Sequence, residues 1–142
     1  RATGTELIRT YFLGLLAEAY GKGGQAEEGL GAIDEALAMV QKSGERFSEA
    51  ELVRLKGELL LSLSAENEAE AEACFLQALD IARRQSAKSW ELRAMISLSH
   101  LLQRQGRQEE ARQGLADIYG WFTEGFDTPD LKEAKRLLED LS

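Results

Sequence analysis

Apolar residues recur along this chain at intervals of three and four, the spacing of one buried face on an α-helix. Leu30, Ile33 and Leu37 follow this spacing, as does the later series from Leu52 to Leu63. The alternation of single apolar and polar residues that is typical of a β-strand is absent. The pattern predicts an all-α protein with seven helices, at about residues 5–22, 25–42, 48–63, 67–85, 88–105, 108–122 and 129–141.

Several helix ends carry local signals in the sequence. Gly106 can adopt the left-handed conformation that ends a helix. Ser48 and Glu51 have the spacing of a capping box, in which each side chain bonds the backbone N–H of the other residue. Thr128 can cap the last helix, and Pro129 suits its first turn because no N–H partner is lost there. We therefore expect side-chain caps at the starts of two helices.

Three segments, residues 17–37, 57–79 and 99–119, repeat one order of small residues and helices. Small side chains are needed where two antiparallel helices approach closely. The repetition predicts one domain, residues 1–142, of helix pairs over about 5–43, 47–86 and 88–123, with a capping helix over 129–141. The shared landmarks are Ala17, Gly57 and Ser99, then Gly29, Ala71 and Ala111, then Ala36, Ala78 and Ile118.

Charge limits the choice of partner. The chain of 142 residues has a formal net charge of −8, and its length is sufficient for one domain with a buried core. Nucleic acid and anionic membrane surfaces are disfavoured as partners, because each needs a concentrated basic field on the protein. A basic or neutral protein or peptide partner is therefore expected.

The cysteine content and the first residue of the chain indicate its cellular compartment and its context. Cys74 is the only cysteine, so an intrachain disulfide cannot form and a cytoplasmic location is expected. The sequence shows no signal peptide and no apolar run of about 20 residues, so we expect no membrane span. The first residue is Arg1 rather than methionine, and we expect the chain to be part of a larger protein.

The sequence offers little from which to build a catalytic site. It contains no GxxxxGK[ST] segment for binding a nucleotide phosphate. Cys74 and His100, each the single residue of its kind, fall in different repeats, so neither a nucleophile–base pair nor a zinc site is indicated. A hydrolase site built from Glu58 and His100 needs a geometry that their spacing does not imply. We expect no enzymatic activity and no cofactor.

The landmarks resemble those of the tetratricopeptide repeat (TPR), a pair of antiparallel helices with small residues at fixed positions. They recur about every 40 residues rather than every 34 or so, and helices of this length look like the repeats of bacterial signalling ATPases and LuxR-type regulators. The resemblance implies a right-handed superhelix of three TPR-like helix pairs. The matching positions are Leu16, Ala17, Tyr20, Gly24, Gly29, Ile33 and Ala36 in the first repeat, Gly57, Leu60, Ala71, Phe75 and Ala78 in the second, and Leu98, Ser99, Leu102, Gly106, Ala111, Leu115 and Ile118 in the third.

Three strings carry a narrower resemblance: GERFSEAELVRLKGELLLSLS, AEACFLQALDIARRQSAKSWELRAMISLS and IYGWFTEGFDTPDLKEAKRLLEDL. Together they look like the C-terminal repeat region of bacterial proteins that join a class III adenylyl or guanylyl cyclase domain to a P-loop ATPase module. The resemblance implies a noncatalytic regulatory or protein-interaction tail. Its partner can be a separate protein or another domain of the same polypeptide.

In the TPR family, the inner, concave face of the first helix of each pair binds ligands, so the resemblance also implies a partner-binding face. The charges at these positions are of both signs, which departs from the basic clamp that holds a C-terminal carboxylate in some members. Peptide or domain binding and a merely solvated face are both open interpretations. The positions carried over are Tyr11, Glu18, Lys22, Glu51, Arg54, Glu58, Arg93, His100 and Arg104.

Four aromatic residues between the last repeat and the last helix form a second candidate site, which we call the aromatic cluster: Tyr119, Trp121, Phe122 and Phe126. Exposed aromatics are typical of association hot spots. The alternative, which we favour, is that the helix over 129–141 folds across them as the cap that a stacked repeat array needs.

The sequence thus predicts a noncatalytic protein-interaction or regulatory module of a bacterial signalling ATPase or cyclase. Two alternatives are a homo-oligomerisation module and a repeat domain that senses a small molecule, as in LuxR-type regulators. A well-defined dimer of the isolated chain would favour the first alternative.

Overall fold

A computed structural model describes residues 24–43 and 48–142, and the regular structure in them is helical. Helix α1 spans Ala26–Ser43, α2 Glu49–Leu63, α3 Glu68–Arg84, α4 Lys88–Arg104, α5 Gln108–Tyr119 and α6 Pro129–Leu141, with a short 3₁₀ helix at Ala65–Asn67. The all-α prediction is confirmed for these residues, and the helix predicted over 5–22 lies outside them. Each helix described is too short or too polar to traverse a lipid bilayer.

The predicted helix bounds agree with the observed ones to within one residue at all described ends but one. The exception is α5, which ends at Tyr119 and not at residue 122. The backbone N–H groups of Trp121 and Phe122 donate to carbonyls three residues earlier, which is the geometry of turns that close a helix. Trp121 and Phe122 therefore lie just beyond the helix to which the sequence assigned them.

The predicted capping box at the start of α2 is wrong. The Ser48 side chain makes no capping hydrogen bond. Glu51 instead accepts two hydrogen bonds from Arg54, from Nε at 3.0 Å and from Nη2 at 2.8 Å. A charged, two-pronged partner three residues away on the same helix face competes successfully for the carboxylate.

The other predicted signals give a mixed outcome. Thr128 makes no side-chain capping bond, although its carbonyl accepts the N–H of Lys132. Pro129 occupies the first turn of α6 as predicted. Gly106 has a φ of +78°, in the left-handed region expected after α4. The ends of these helices are thus set more by backbone conformation than by capping side chains.

Two compact units make up the fold, one ending at Ala78 and the other beginning at Leu79. In the first unit α1 packs against α2, and the predicted apolar stripes of both helices meet. This confirms the helical periodicity of the sequence. The fully enclosed cluster contains Ala26, Ile33, Ala36, Val40, Leu52, Leu55 and Leu59.

Small residues mark close contacts between helices, as predicted. A Cβ atom added at Gly57 of α2 would lie 2.6 Å from Cε1 of Phe75 on α3, too close for the two to coexist. Phe75 is itself fully buried. Every repeat landmark within the described ranges is buried: Gly29, Ala36, Gly57, Ala71, Ala78, Ser99, Ala111 and Ile118.

In the second unit α4 packs against both α5 and α6, and α5 packs against α6. Residues 94–99 are all buried, so the middle of α4 is enclosed around its whole circumference. Helix α6 adds Leu131, Ala134, Leu137 and Leu141 to the core. The last helix is therefore an integral part of this unit.

Candidate functional site

Three of the residues predicted to bind a partner lie together on α2. Arg54 Nη2 is 2.8 Å from Glu51 Oε2, and Arg54 Nη1 is 3.6 Å from Glu58 Oε2. The Arg54 side chain is only 11% exposed. These contacts place the three residues on one face of α2, and the two carboxylates of the same helix already neutralise the arginine.

Two further predicted residues, on α4, are bound by the C-terminal helix. Arg93 Nη2 and Nε each lie 3.2 Å from Oδ2 of Asp130. His100 Nε2 lies 3.0 Å from Oε2 of Glu133. Helix α6 thus lies along the face of α4 that the sequence assigned to a partner.

Sequence reasoning missed the acidic partners of α4. Asp130 and Glu133 are three residues apart, which places them on one side of α6 and so was readable from the sequence. Their pairing with residues more than 30 positions earlier was not, because it depends on how α6 packs. Arg104 is exposed at the end of α4. Tyr11, Glu18 and Lys22 lie outside the described residues.

Glu133 stands between two basic side chains. Arg136 Nη2 lies 2.6 Å from each of its oxygens, and His100 contacts Oε2. The hydrogen bonds from Arg136, followed by that from His100, hold the pKa of Glu133 below its ordinary value against the opposing effect of partial burial. The carboxylate is therefore charged at neutral pH and joins α6 to α4.

The aromatic cluster forms two ring pairs. The ring centroids of Tyr119 and Phe126 are 5.7 Å apart, and those of Trp121 and Phe122 are 5.1 Å apart in an edge-to-face arrangement. Lys88 Nζ lies 5.6 Å from the centre of the Trp121 ring, within reach of a cation–π contact. Trp121 is 56% exposed and Phe126 44%. Helix α6 therefore buries its own leucines without covering either of these rings.

An open groove of about 620 Å³ lies at Tyr119 and Phe126. Its apolar lining comes from these two rings, and its polar lining comes from α6. We call it the basic groove, because three of its four polar residues are cations: Lys132, Lys135, Arg136 and Glu139.

The basic groove was only partly readable from the sequence. The spacing of Lys132, Lys135 and Arg136 places them on one side of α6, while the leucines of the same helix face the core. That stripe could have been found by the same periodicity that predicted the helix. Its position at Tyr119 and Phe126 follows from the turn after α5, which the sequence assigned to a longer helix.

Two observations on the described residues concern metal binding and the single cysteine. Among them, no group of three or more His, Cys, Asp or Glu side chains could hold a metal ion. Burial raises the pKa of the Cys74 thiol, which disfavours the thiolate that a nucleophile needs. What the second unit offers is an exposed aromatic and basic surface.

No protein-family model matches this chain, and no curated protein matches it either. The residues and their geometry therefore carry the functional inference.

Proposed function

We propose that this chain is a noncatalytic protein-interaction module. The observation that carries the proposal is the aromatic cluster of the second unit, where Trp121 and Phe126 remain exposed and Phe126 lines the basic groove. Exposure of large aromatic side chains to water is unfavourable. A partner that covers them therefore binds with a favourable free energy of desolvation. Such binding requires no catalytic residue.

The helix pairs support the proposal. The sequence pairs α2 with α3 and α4 with α5, and both pairs carry buried small residues at matching positions, Gly57 and Ala71 in the first pair and Ser99 and Ala111 in the second. We infer that they stack in a right-handed superhelix, an architecture that offers extended surfaces to partners. The resemblance to the repeat tails of bacterial cyclase–ATPase proteins suggests the setting, a cytoplasmic regulatory tail that binds a separate protein or another domain of its own polypeptide.

The contact surface is better placed at the aromatic cluster than on the predicted face of α4. Arg93 and His100 already pair with Asp130 and Glu133 of α6, so a partner there would have to displace a packed helix. Trp121 and Phe126 need no such displacement. The aromatic cluster is thus the surface at which a partner binds with the least rearrangement.

The test begins with a pull-down that uses the chain as bait, followed by purification of the captured protein and titration calorimetry. We expect saturable binding that the double variant Trp121→Ala/Phe126→Ala weakens by about a hundredfold or more, since hot-spot aromatics contribute about 2 kcal/mol each. The matched control is Leu63→Ala/Leu76→Ala, which removes two exposed apolar side chains from α2 and α3. Equal affinity of the wild type and the aromatic variant would contradict the proposal.

Self-association is the second candidate function, because the same exposed rings can cover each other between two copies. Light scattering over a range of concentrations distinguishes self-association from binding of a different protein. A defined dimer that the aromatic variant converts to monomer supports self-association, whereas a monomer at every concentration supports a different partner.

A further inference from the structure

We propose that the basic groove binds an acidic peptide segment of the partner, with one apolar side chain of that segment seated on Tyr119 and Phe126. The inference rests on the proposed function, since it names the docking site and the chemistry of the docked segment. Three observations carry it: the charges of α6, the exposed rings, and the shape of the groove.

The charges favour an anionic segment. The chain as a whole has a formal net charge of −8, yet the groove presents Lys132, Lys135 and Arg136 against the single carboxylate of Glu139. Arg136 is held by Glu133 and Asp140 of its own helix. In the part of the chain that the structure describes, neither Lys132 nor Lys135 has an ion-pair partner. Two lysines one turn apart are therefore free to pair with carboxylates of a ligand.

The rings favour an apolar anchor within that segment. Tyr119 is partly buried and holds Phe126 in a tilted contact at 5.7 Å, while Phe126 keeps 44% of its surface exposed. A leucine or aromatic side chain laid on Phe126 removes apolar surface of both partners from water. The ligand is thus expected to combine negative charge with one large apolar side chain.

The shape favours a peptide over a small molecule. The volume of about 620 Å³ lies within the range of ligand sites, but the groove is open to solvent and does not enclose a cavity. Small-molecule sites usually enclose most of their ligand, which an open groove does not. A peptide tolerates this, because its ends can continue along the protein surface.

The test uses a fluorescein-labelled nonapeptide in which one leucine is flanked by four glutamates on each side, with fluorescence polarisation as the readout. We expect saturable binding to the full chain that weakens as salt is added. Replacement of the leucine by serine, or of the glutamates by lysines, should weaken or abolish binding. A single-stranded oligonucleotide of similar charge serves as a competitor, and tighter binding of the oligonucleotide overturns the peptide proposal.

Variants of the chain locate the site. Lys132→Glu/Lys135→Glu should weaken binding of the acidic peptide by about tenfold or more, and Phe126→Ala should weaken it less. The matched control is Lys42→Glu/Arg84→Glu, which changes the net charge equally at exposed residues outside the groove. Circular dichroism checks that each variant is folded.

The outcomes separate the groove from the broader function. If the control variant loses binding to the same extent, the net charge of the chain and not the basic groove determines peptide binding, and the proposed site is wrong. Failure of the acidic peptide to bind also contradicts the proposal that the basic groove is a peptide site. If a purified partner still binds to Lys132→Glu/Lys135→Glu with wild-type affinity but not to Trp121→Ala/Phe126→Ala, the interaction function stands and only the groove is refuted.

Discussion

At the scale of single residues, the contact between α2 and α3 depends on the absent side chain of Gly57. A Cβ atom there would lie 2.6 Å from a ring carbon of Phe75, which is fully buried and has little room to move. We expect Gly57→Ala to lower the free energy of unfolding by about 1–3 kcal/mol, as overpacking of a core does. Urea denaturation followed by circular dichroism measures the change.

Gly31 provides the control for Gly57. It lies at an exposed position inside α1, and a Cβ atom there meets nothing within 4 Å. Gly31→Ala should therefore raise the free energy of unfolding by about 0.5–1 kcal/mol through the higher helix propensity of alanine. Replacement of glycine by alanine should thus change the free energy of unfolding in opposite directions at the two positions. Stabilisation at both would contradict the close contact between α2 and α3.

Ser99 offers a second test at this scale. Its side chain is fully buried in α4, and its hydroxyl has no hydrogen-bond partner among the residues that the structure describes. Burial of a hydroxyl without a partner is unfavourable, so Ser99→Ala should leave stability unchanged or raise it by up to about 1 kcal/mol. Thermal and urea unfolding both report this difference.

Ser97 is the matched serine, because it is also buried in α4 but has an interaction partner. Ser97→Ala should lower the free energy of unfolding by about 0.5–1.5 kcal/mol. Loss of stability of the same size in both alanine variants would mean that Ser99 has a partner in solution.

At the scale of helices, the sequence predicted elements better than their contacts. The three-and-four spacing located α1 and α2 because a helix repeats its buried face whatever its neighbours are. The end of α5 was misplaced because Phe122 extends the apolar pattern past Tyr119, while the backbone hydrogen bonds of Trp121 and Phe122 reach back three residues and not four. Apolar spacing alone does not distinguish a helix from a turn that packs its aromatic side chains.

The candidate site was predictable to a smaller extent. The sequence identified the aromatic cluster, and the repeat resemblance supplied Glu51, Arg54 and Glu58, which share one face of α2. It did not identify the pairing of Arg93 with Asp130, since opposite charges far apart in sequence have many possible partners until the helices pack. Periodicity therefore defines faces, and packing decides which faces meet.

Helix α6 should be necessary for the second unit. Leu131, Leu137 and Leu141 are almost fully buried, and burial of each contributes about 2 kcal/mol. Deletion of residues 127–142 would expose the surfaces of α4 and α5 that α6 covers, so we expect aggregation or loss of cooperative unfolding. Light scattering and thermal melting measure these outcomes, and a soluble truncation that unfolds cooperatively would contradict the expectation.

A milder variant tests the same helix without removing it. Leu137→Ala should lower the free energy of unfolding by about 2–5 kcal/mol, as deletions of buried leucines do. Lys135→Ala, on the exposed side of α6, should change stability by less than about 0.5 kcal/mol.

The contact between α6 and α4 should depend on pH. The pKa of Glu133 is lowered in the folded protein, chiefly by Arg136 and then by His100. The stability it contributes is therefore present above the ordinary glutamate pKa of 4.5 and is lost as the pH falls through the lower folded-state value. Urea unfolding should show Glu133→Gln to be less stable than wild type at neutral pH, with the difference vanishing in acid.

The control for this pH dependence is Glu139→Gln on the same helix. Among the residues described, Glu139 has no ion-pair partner, so this variant should follow the wild-type curve. A parallel loss of stability in Glu133→Gln at every pH would mean that the carboxylate charge does not hold α6 in place.

At the scale of the whole molecule, the distribution of charge matters more than its sum. The chain has 25 acidic and 17 basic residues. Several arginines are neutralised by a glutamate three residues away: Arg54 by Glu51, Arg107 by Glu110, Arg112 by Glu109 and Arg136 by Glu133. The lysines of the basic groove are therefore local positive charges on an acidic protein.

This balance leads to a last prediction, on association of the chain with itself. Like charges keep acidic copies apart at low salt, whereas added salt screens that repulsion and leaves the attraction between exposed rings. We expect a monomer at low salt and, at high salt, association that Trp121→Ala/Phe126→Ala abolishes and Leu63→Ala/Leu76→Ala does not. Static light scattering measures the mass. Association that both variants lose equally would mean that general hydrophobicity, and not the aromatic cluster, drives the contact.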